Sequence, residues 1–379
     1  MDVTLSGRAL TTERPTPRHV DGTLALAALA LTAFGLLMVY SATNRSLSEF
    51  GHDPGTYLKR QAAFVILGAI AMVVATVVDY RLAKAYAPVF YVFTLILLLA
   101  VRTPLGSSSR GAQRWFQVAG FQLSPSLFTR LSLGMMLAAY LSEIKGEITL
   151  RQVVRGVAIA GVPMFLVFIQ PDIGSTIILA AIMVALLVVS GAKAKYLAIL
   201  ALAAGVGIFG AFQLHIVKDY QVERLVGFLD SKSDTQRAGY NKQQAEIAIG
   251  AGGLTGRGYL KGTQTNLDFV PAQHTDFIFT VVGEELGFMG SVVLLLLFAL
   301  VLWRAFRIAL LAKDPFGTYL AVAIGTMIAI QVFVNIGMTI GIMPITGIPL
   351  PLISYGGSGL VADLIGIGLL INIHMRRFR

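Results

Sequence analysis

A chain of 379 residues that is 56% hydrophobic and only 13% charged is not a water-soluble globule, since soluble domains carry about 25% charged residues. The absence of cysteine excludes disulfides, thiolate metal sites and cysteine nucleophiles, and the five histidines are too scattered for a metal site. A formal net charge of +10 with no basic soluble segment argues against nucleic acid and for anionic partners, either lipid headgroups or a phosphorylated substrate.

Apolar runs near or above ~18 residues recur along the chain. They predict an all-α polytopic membrane protein with about ten transmembrane helices and a large structured extracytoplasmic loop between spans seven and eight. Residues 1–20 form a polar tail bearing Arg8, Arg14 and Arg18, and residues 21–379 a single membrane domain. No cleavage site follows the first apolar run, which reads as an uncleaved span. The spans fall at about Leu24–Tyr40, Gln61–Val78, Tyr86–Ala100, Ser126–Leu141, Val153–Ile169, Ser175–Ser190, Tyr196–Ile216, Phe277–Trp303, Tyr319–Gly341 and Leu360–Ile373. Span four is short and carries Arg130.

Lysines and arginines after the even-numbered spans, with the arginines of both tails, place both termini in the cytoplasm and the long loop outside. Arg102, Arg110, Arg114 and the Lys59-Arg60 pair stand on the outer side against that bias. They read either as tolerated outside charges or as a cationic rim for an anionic ligand. Arg130 and Arg224 fall near the same level, which favours the rim.

Within the long loop (217–275), Asp219 to Leu229 has the spacing of an interfacial helix. Tyr240 to Ile249 has that of a second amphipathic helix, ended by Gly250, Gly252 and Gly253. The glycines through Gly258 do not match a phosphate-binding fingerprint and read as turn chemistry. Asp276 stands where this polar stretch becomes apolar, a position that suits either a helix cap or a dry proton acceptor. Residues 344–358 are apolar yet hold three prolines, so they must fold against protein or line a cavity. There Ser354 and Ser358 either bind a ligand or satisfy loop backbone. Glu284 and Glu285 lie about 12–13 Å along the helix from Asp276, too far for a catalytic dyad. Asp363 in the last span has no assigned role; a cation partner or a wet cleft would account for it.

Five motifs in order resemble the shape, elongation, division and sporulation (SEDS) family of peptidoglycan glycosyltransferases. They are Arg110-Gly-Ala-Gln-Arg-Trp115, Gln170-Pro-Asp-Ile-Gly-Ser175, Tyr220-Gln-Val-Glu-Arg224, His274-Thr-Asp-Phe-Ile-Phe279 with Glu284-Glu-Leu-Gly287, and Met343 through Ser358. Gly262-Thr-Gln264 is more similar to the elongation-type members than to the division type. One stretch departs from the family pattern: Ser124-Pro-Ser-Leu-Phe-Thr-Arg130 keeps a cation at Arg130 but carries Leu127 in place of an acid.

The resemblance implies a bacterial inner-membrane enzyme whose active face is extracytoplasmic. It would polymerise lipid II, release undecaprenyl pyrophosphate and work with a class B penicillin-binding transpeptidase and other elongation-complex membrane proteins. No organic cofactor is expected; a divalent cation (Mg or Mn) near Asp172 or Asp276 is. An α-linked donor giving a β-1,4 glycan needs one inverting displacement, hence one base, for which Asp276 is the candidate. Arg60, Arg110, Arg114, Arg130 and Arg224 are candidates to neutralise the departing pyrophosphate. Asp172 pairs with one of them or helps hold the cation. A lipid-linked precursor flippase and a non-catalytic scaffold are the competing classes. A translocation path should carry polar groups through the inner half of the spans, which reads as mostly apolar apart from Asp363.

Overall fold

The computed structural model describes residues 20–49, 51–109, 112–118, 121–213, 238–267 and 269–377. The N-terminal arginines, Arg110, Arg224 and the Asp219 to Leu229 segment lie outside these residues. The chain opens with α1 (Gly22–Glu49), α2 (Thr56–Val77) and α3 (Tyr80–Ala100). It continues, after a small sheet, with α4 (Pro125–Ser142), α5 (Leu150–Ile169), α6 (Ile173–Val189) and α7 (Ala194–Gln213). Two loop helices follow, α8 (Ala238–Gly252) and the short α9 (Thr263–Asn266). The last three are α10 (Ile278–Leu311), α11 (Pro315–Thr339) and α12 (Gly357–Arg376).

All but α8 and α9 coincide with the apolar runs of the sequence. Seven are long and apolar enough to cross a membrane (α1, α2, α3, α5, α10, α11, α12), and α6 and α7 are shorter apolar helices. On α2, Ile66, Ile70, Val73, Val74 and Val77 are exposed, and on α3 Val89, Val92, Phe93 and Ile96. Apolar side chains at helical spacing on the outside are what lipid requires. The most enclosed helices are α11 and α12. α12 packs on α2, α4 and α11; α11 also packs on α4, α6 and α10. Polar side chains occupy this centre: Arg130, Gln331, Asn335 and Asp363 are all buried.

Between α3 and α4 the chain is not purely helical, which corrects the all-α expectation. Strands β1 (Ser107–Ser109), β2 (Ala112–Val118) and β3 (Phe121–Leu123) form an antiparallel sheet in the order β1-β2-β3. Trp115 is registered against Ser107 and Phe116 against Leu123. Arg114-Trp115-Phe116-Gln117-Val118 has the aromatic and β-branched content that favours strand over helix.

Helices alternate in direction, so α2, α4, α6, α10 and α12 begin at one end of the bundle. The opposite end is fastened by buried polar contacts. Arg304 Nε donates to Asp21 Oδ2 (2.8 Å) and the same pair forms an ion pair, while Asp21 Oδ1 accepts from Leu24 N (3.1 Å). His374 Nδ1 lies 3.8 Å from Asp21 Oδ2. Tyr80 donates to Asp314, Asn372 Nδ2 donates to the carbonyls of Ala75, Thr76 and Val78, and Arg376 pairs with Asp79 at 2.9 Å.

The glycine-rich segment after α8 does more than turn. Gly253, Gly256 and Gly258 have φ of +56°, +80° and +101°, as turns require. A Cβ on Gly252 or Gly256 would also collide with the backbone oxygens of Gly283 and Glu285, so these glycines permit α8 and its loop to lie directly on α10. α10 breaks at Gly287 (φ 64°, ψ −160°), where it meets Leu254 and Gly256. Glu284 and Glu285, both fully buried, fasten the same loop. The Glu284 carboxylate accepts from Gln264 N (2.7 Å), Thr265 N (2.9 Å), Thr265 Oγ1 (2.8 Å) and Thr263 Oγ1 (3.1 Å). Glu285 Oε1 accepts from Ser41 on α1 at 2.5 Å. Both glutamates are therefore polar packing, as their distance from Asp276 indicated.

Replacing Glu284 by Ala strands two backbone N–H groups in a buried site, at about 1–3 kcal/mol each. The thermal midpoint of the detergent-solubilised protein is expected to fall by several degrees, and Glu284→Gln, which keeps an acceptor, to fall less. An unchanged midpoint in Glu284→Ala would contradict this account of the loop.

Candidate active site

Residues 344–358 form an irregular loop between α11 and α12 at the end where α2, α4, α6 and α10 begin. The surrounding helices satisfy its backbone. Asn335 Nδ2 donates to Ile348 O (2.7 Å), and Gln61 Nε2 to Ser354 O (3.1 Å) while its Oε1 accepts from Gly356 N (3.3 Å). Tyr355 N donates to His274 O (2.9 Å). Gly35 of α1 and Gly174 of α6 pack so closely that added Cβ atoms would come within 2.7 Å of Ile353 Cα and 2.5 Å of Ile348 Cγ1.

Asp276 lies against this loop. A Cβ on Gly347, whose φ is +71°, would stand 3.4 Å from Asp276 Oδ2. Asn335 Nδ2, which holds Ile348 O, also donates to Asp276 O (2.8 Å). One buried amide thus fixes both sides of the contact. Asp276 is half-buried, and Phe277, Ile278 and Phe279 after it are buried. The carboxylate therefore faces the loop and not hydrocarbon. A turn at Ala272 (φ +57°) presents it, the Ala272 carbonyl accepting from the backbone N–H groups of Thr275 (3.0 Å) and Asp276 (3.1 Å). Leu352 in the loop is likewise left-handed (φ +63°). Non-glycine residues there cost about 1–3 kcal/mol each and persist where surrounding contacts impose them.

Arg60 reaches this cluster: its side chain hydrogen-bonds Tyr355. The Tyr355 and His274 rings stand 5.8 Å apart, each against Tyr57 at 4.9 Å. His274 serves the loop here through its carbonyl.

Asp172 adjoins the same loop from α6, because its neighbour Gly174 touches Ile348 and Thr346. It caps α6, accepting from Ser175 N (3.0 Å), Ser175 Oγ (2.6 Å) and Ser126 Oγ (3.1 Å), with Arg114 Nη1 at 3.6 Å. Burial pushes its carboxyl up, but the charges of Arg114 and Arg130 and the Ser175 hydrogen bonds outweigh that and hold it below the ordinary carboxylate range. Arg114 is partly exposed and lies over Trp115, 5.0 Å from the ring centroid.

Arg130 is not on the rim. It is 3% exposed, donating from Nη1 to Gln331 Oε1 and from Nη2 to Ser175 Oγ, each at 2.8 Å. Enclosed in this way, it supports Asp172 and cannot reach a ligand at the surface. Ser354 Oγ accepts from Leu350 N (2.8 Å) and Ser358 Oγ from Ser124 N (3.3 Å), so both serve loop backbone. The residues missed by sequence reasoning are the amides Gln61, Asn335 and Gln331. Their signal is a polar side chain inside an otherwise apolar span.

Among the described residues no three carboxylate or histidine side chains gather, and Asp172 is already committed to serines and Arg114. The end of the bundle opposite this site is also less apolar than its composition suggested, since Asp21, Arg304 and His374 meet there.

Residues 22–378 match the model of the FtsW/RodA/SpoVE family, described as cell cycle proteins. The peptidoglycan glycosyltransferase MrdB of Escherichia coli (strain K12) is 37% identical over 95% of this chain and 94% of its own length. The stage V sporulation protein E of Bacillus subtilis (strain 168) is 36% identical over 96% and 98%. Among solved structures, a peptidoglycan synthase complex that coordinates polymerization and crosslinking contains a chain superposing with a TM-score of 0.81, at 29% identity over 95% of this chain and 99% of that one. The rod shape determining protein RodA of Thermus thermophilus superposes with a TM-score of 0.70, at 27% identity over 95% and 98%. Together with the Asp276 loop and the helical bundle around it, these matches establish that the chain belongs to the FtsW/RodA/SpoVE family of cell cycle proteins.

Proposed function

We propose that this integral membrane protein, a peptidoglycan glycosyltransferase, polymerises lipid II into β-1,4 glycan during cell elongation with Asp276 as its general base. The observation that carries this reading is the half-buried Asp276 carboxylate held against Gly347 by a buried amide. A base must be fixed, shielded from bulk water and still reachable, and this position meets all three needs.

In the reaction, Asp276 accepts the proton of the acceptor sugar's 4-hydroxyl as that oxygen attacks the donor's anomeric carbon. The bond to undecaprenyl pyrophosphate breaks with inversion, and its electron pair leaves on the phosphate oxygen. Cations replace a general acid for such a leaving group. Arg60 is suited to this by its exposure and its link to Tyr355, and Arg114 by its edge position beside Asp172. Arg110 and Arg224, outside the described residues, belong to the same proposed set. Arg130 acts from beneath, by holding Asp172. A divalent cation (Mg or Mn), where one takes part, would draw most of its ligands from substrate phosphates, and no step here depends on it.

In this reading all ten long helices cross the bacterial cell membrane, both termini are cytoplasmic and the loop faces outward. A class B penicillin-binding transpeptidase is the expected partner, with other elongation-complex membrane proteins, in keeping with the synthase complex whose chain shares this fold. Gly262-Thr-Gln264 favours elongation over division.

The purified protein with its transpeptidase should convert fluorescent lipid II to polymer, and Asp276→Asn should lower the rate roughly 10²–10⁴-fold without changing its thermal midpoint. Polymer at the wild-type rate from that variant would remove Asp276 as base. Asn335→Ala orphans the carbonyls of Asp276 and Ile348, so kcat should fall about tenfold or more with little change in KM. A change confined to KM would place Asn335 in substrate binding instead.

A further inference from the structure

Arg130 donates only to neutral acceptors, Gln331 Oε1 and Ser175 Oγ, and its Nε has no partner. A buried guanidinium with no nearby anion is strongly unfavourable. Two carboxylates act on it through space. Asp172 lies beyond Ser175, and Asp363 lies on α12 beyond Gln331. Asp363 is 6% exposed, lies against the Gln331 amide and accepts from the backbone N–H of Leu352 in the site loop.

The α4–α12 contact explains why the second carboxylate comes from α12. Leu127 precedes Arg130 by three residues and shares its face of α4. Leu127 Cδ1 stands 3.6 Å from where a Cβ on Gly359 would lie, and Asp363 is one turn past Gly359 on α12. An apolar layer, Leu127 on Gly359, is thus followed by a charged layer, Arg130 facing Asp363. The two helices start at the same end, so the layers stack in order. α4 carries no carboxylate from Pro125 to Ser142.

We propose that Asp363 is the positioning residue that supplies from α12 the counter-charge for Arg130, standing in for an acid that α4 lacks at Leu127. This accounts for the two oddities of the sequence together: the apolar residue at 127 and the aspartate inside the last span. Through Leu352 the same carboxylate ties the Arg130 and Asp172 network to the loop against which Asp276 rests. A charge moved from one helix to its neighbour preserves the network if its distance to the cation is kept.

The inference rests on the polymerase reading for its activity readout, and polymer formation by the wild-type protein secures that reading separately. Full-length wild type, Asp363→Asn and the double variant Asp363→Asn with Leu127→Glu are compared, each with the transpeptidase, for polymerisation rate and thermal midpoint. Asp363→Asn should lose at least about tenfold in rate, and adding Leu127→Glu should return it to within about threefold of wild type. A merely structural Asp363 would not be rescued by a carboxylate on another helix. Wild-type activity in Asp363→Asn overturns the proposal. So does a double variant no more active and no better folded than the single one, whereas a single variant that unfolds and is refolded by Leu127→Glu supports it.

Discussion

The structure depends on an irregular, proline-bearing loop being placed where water is scarce. Pro344, Pro349 and Pro351 contribute carbonyls without N–H groups, and the residues between them cannot form a helix that would satisfy the rest. The remaining polar backbone groups need partners; some lie within the loop, as for Leu350 and Ser354, and others must come from outside it. Asn335, Gln61, Asp363 and the His274 carbonyl supply them from α11, α2, α12 and the start of α10. Because most of these donors and acceptors are side chains on packed helices, the loop is held by the bundle. Asp276 is held with it through Asn335, which bonds both.

Charge is distributed to match. At the opposite end Asp21, Arg304 and His374, with Tyr80, Asp314 and Asn372, tie the helix ends into a network buried against one another. At the site end α2, α4, α6, α10 and α12 begin, on the side where Arg60 and Arg114 stand. A polymerase and a translocation path differ in what lies between the two ends. Among the described residues between the two ends, Arg130 and Asp363 are buried, Arg130 being engaged with Gln331 and Ser175, and they do not line an open route.

Much of this was legible in the residues. Apolar runs located the long helices, although α1 and α10 continue past them to Glu49 and Leu311, because hydrocarbon imposes a length and a composition that leave few alternatives. The prolines of residues 344–358 foretold a loop folded against protein, and Asp276 was marked by standing at the boundary of polar and apolar stretches. Arg130 was misplaced for a physical reason: a cation near a helix start reads the same whether it faces a cleft or the bundle interior, and only the packing of α4 on α11 decides. The small sheet was missed because its strands are short, two of them only three residues long. The amides were missed because Gln61, Gln331 and Asn335 are single residues whose roles depend on a loop up to nearly three hundred positions away.

The site also explains why two nearby aspartates do not divide the work of acid and base. Asp172 accepts from two serines and a backbone N–H and faces Arg114, so its charged form is favoured despite burial. A carboxyl whose charged form is favoured in this way is poorly suited to act as a general acid. An inverting hydrolase of ordinary glycosides would be disabled by that arrangement. Transfer from a diphosphate is not, because the leaving group is stable as an anion and needs only counter-charge. Asp172 then keeps Arg114 at the edge of the site, and Arg130 keeps Asp172 ionised. In the proposed reaction the proton is left to Asp276.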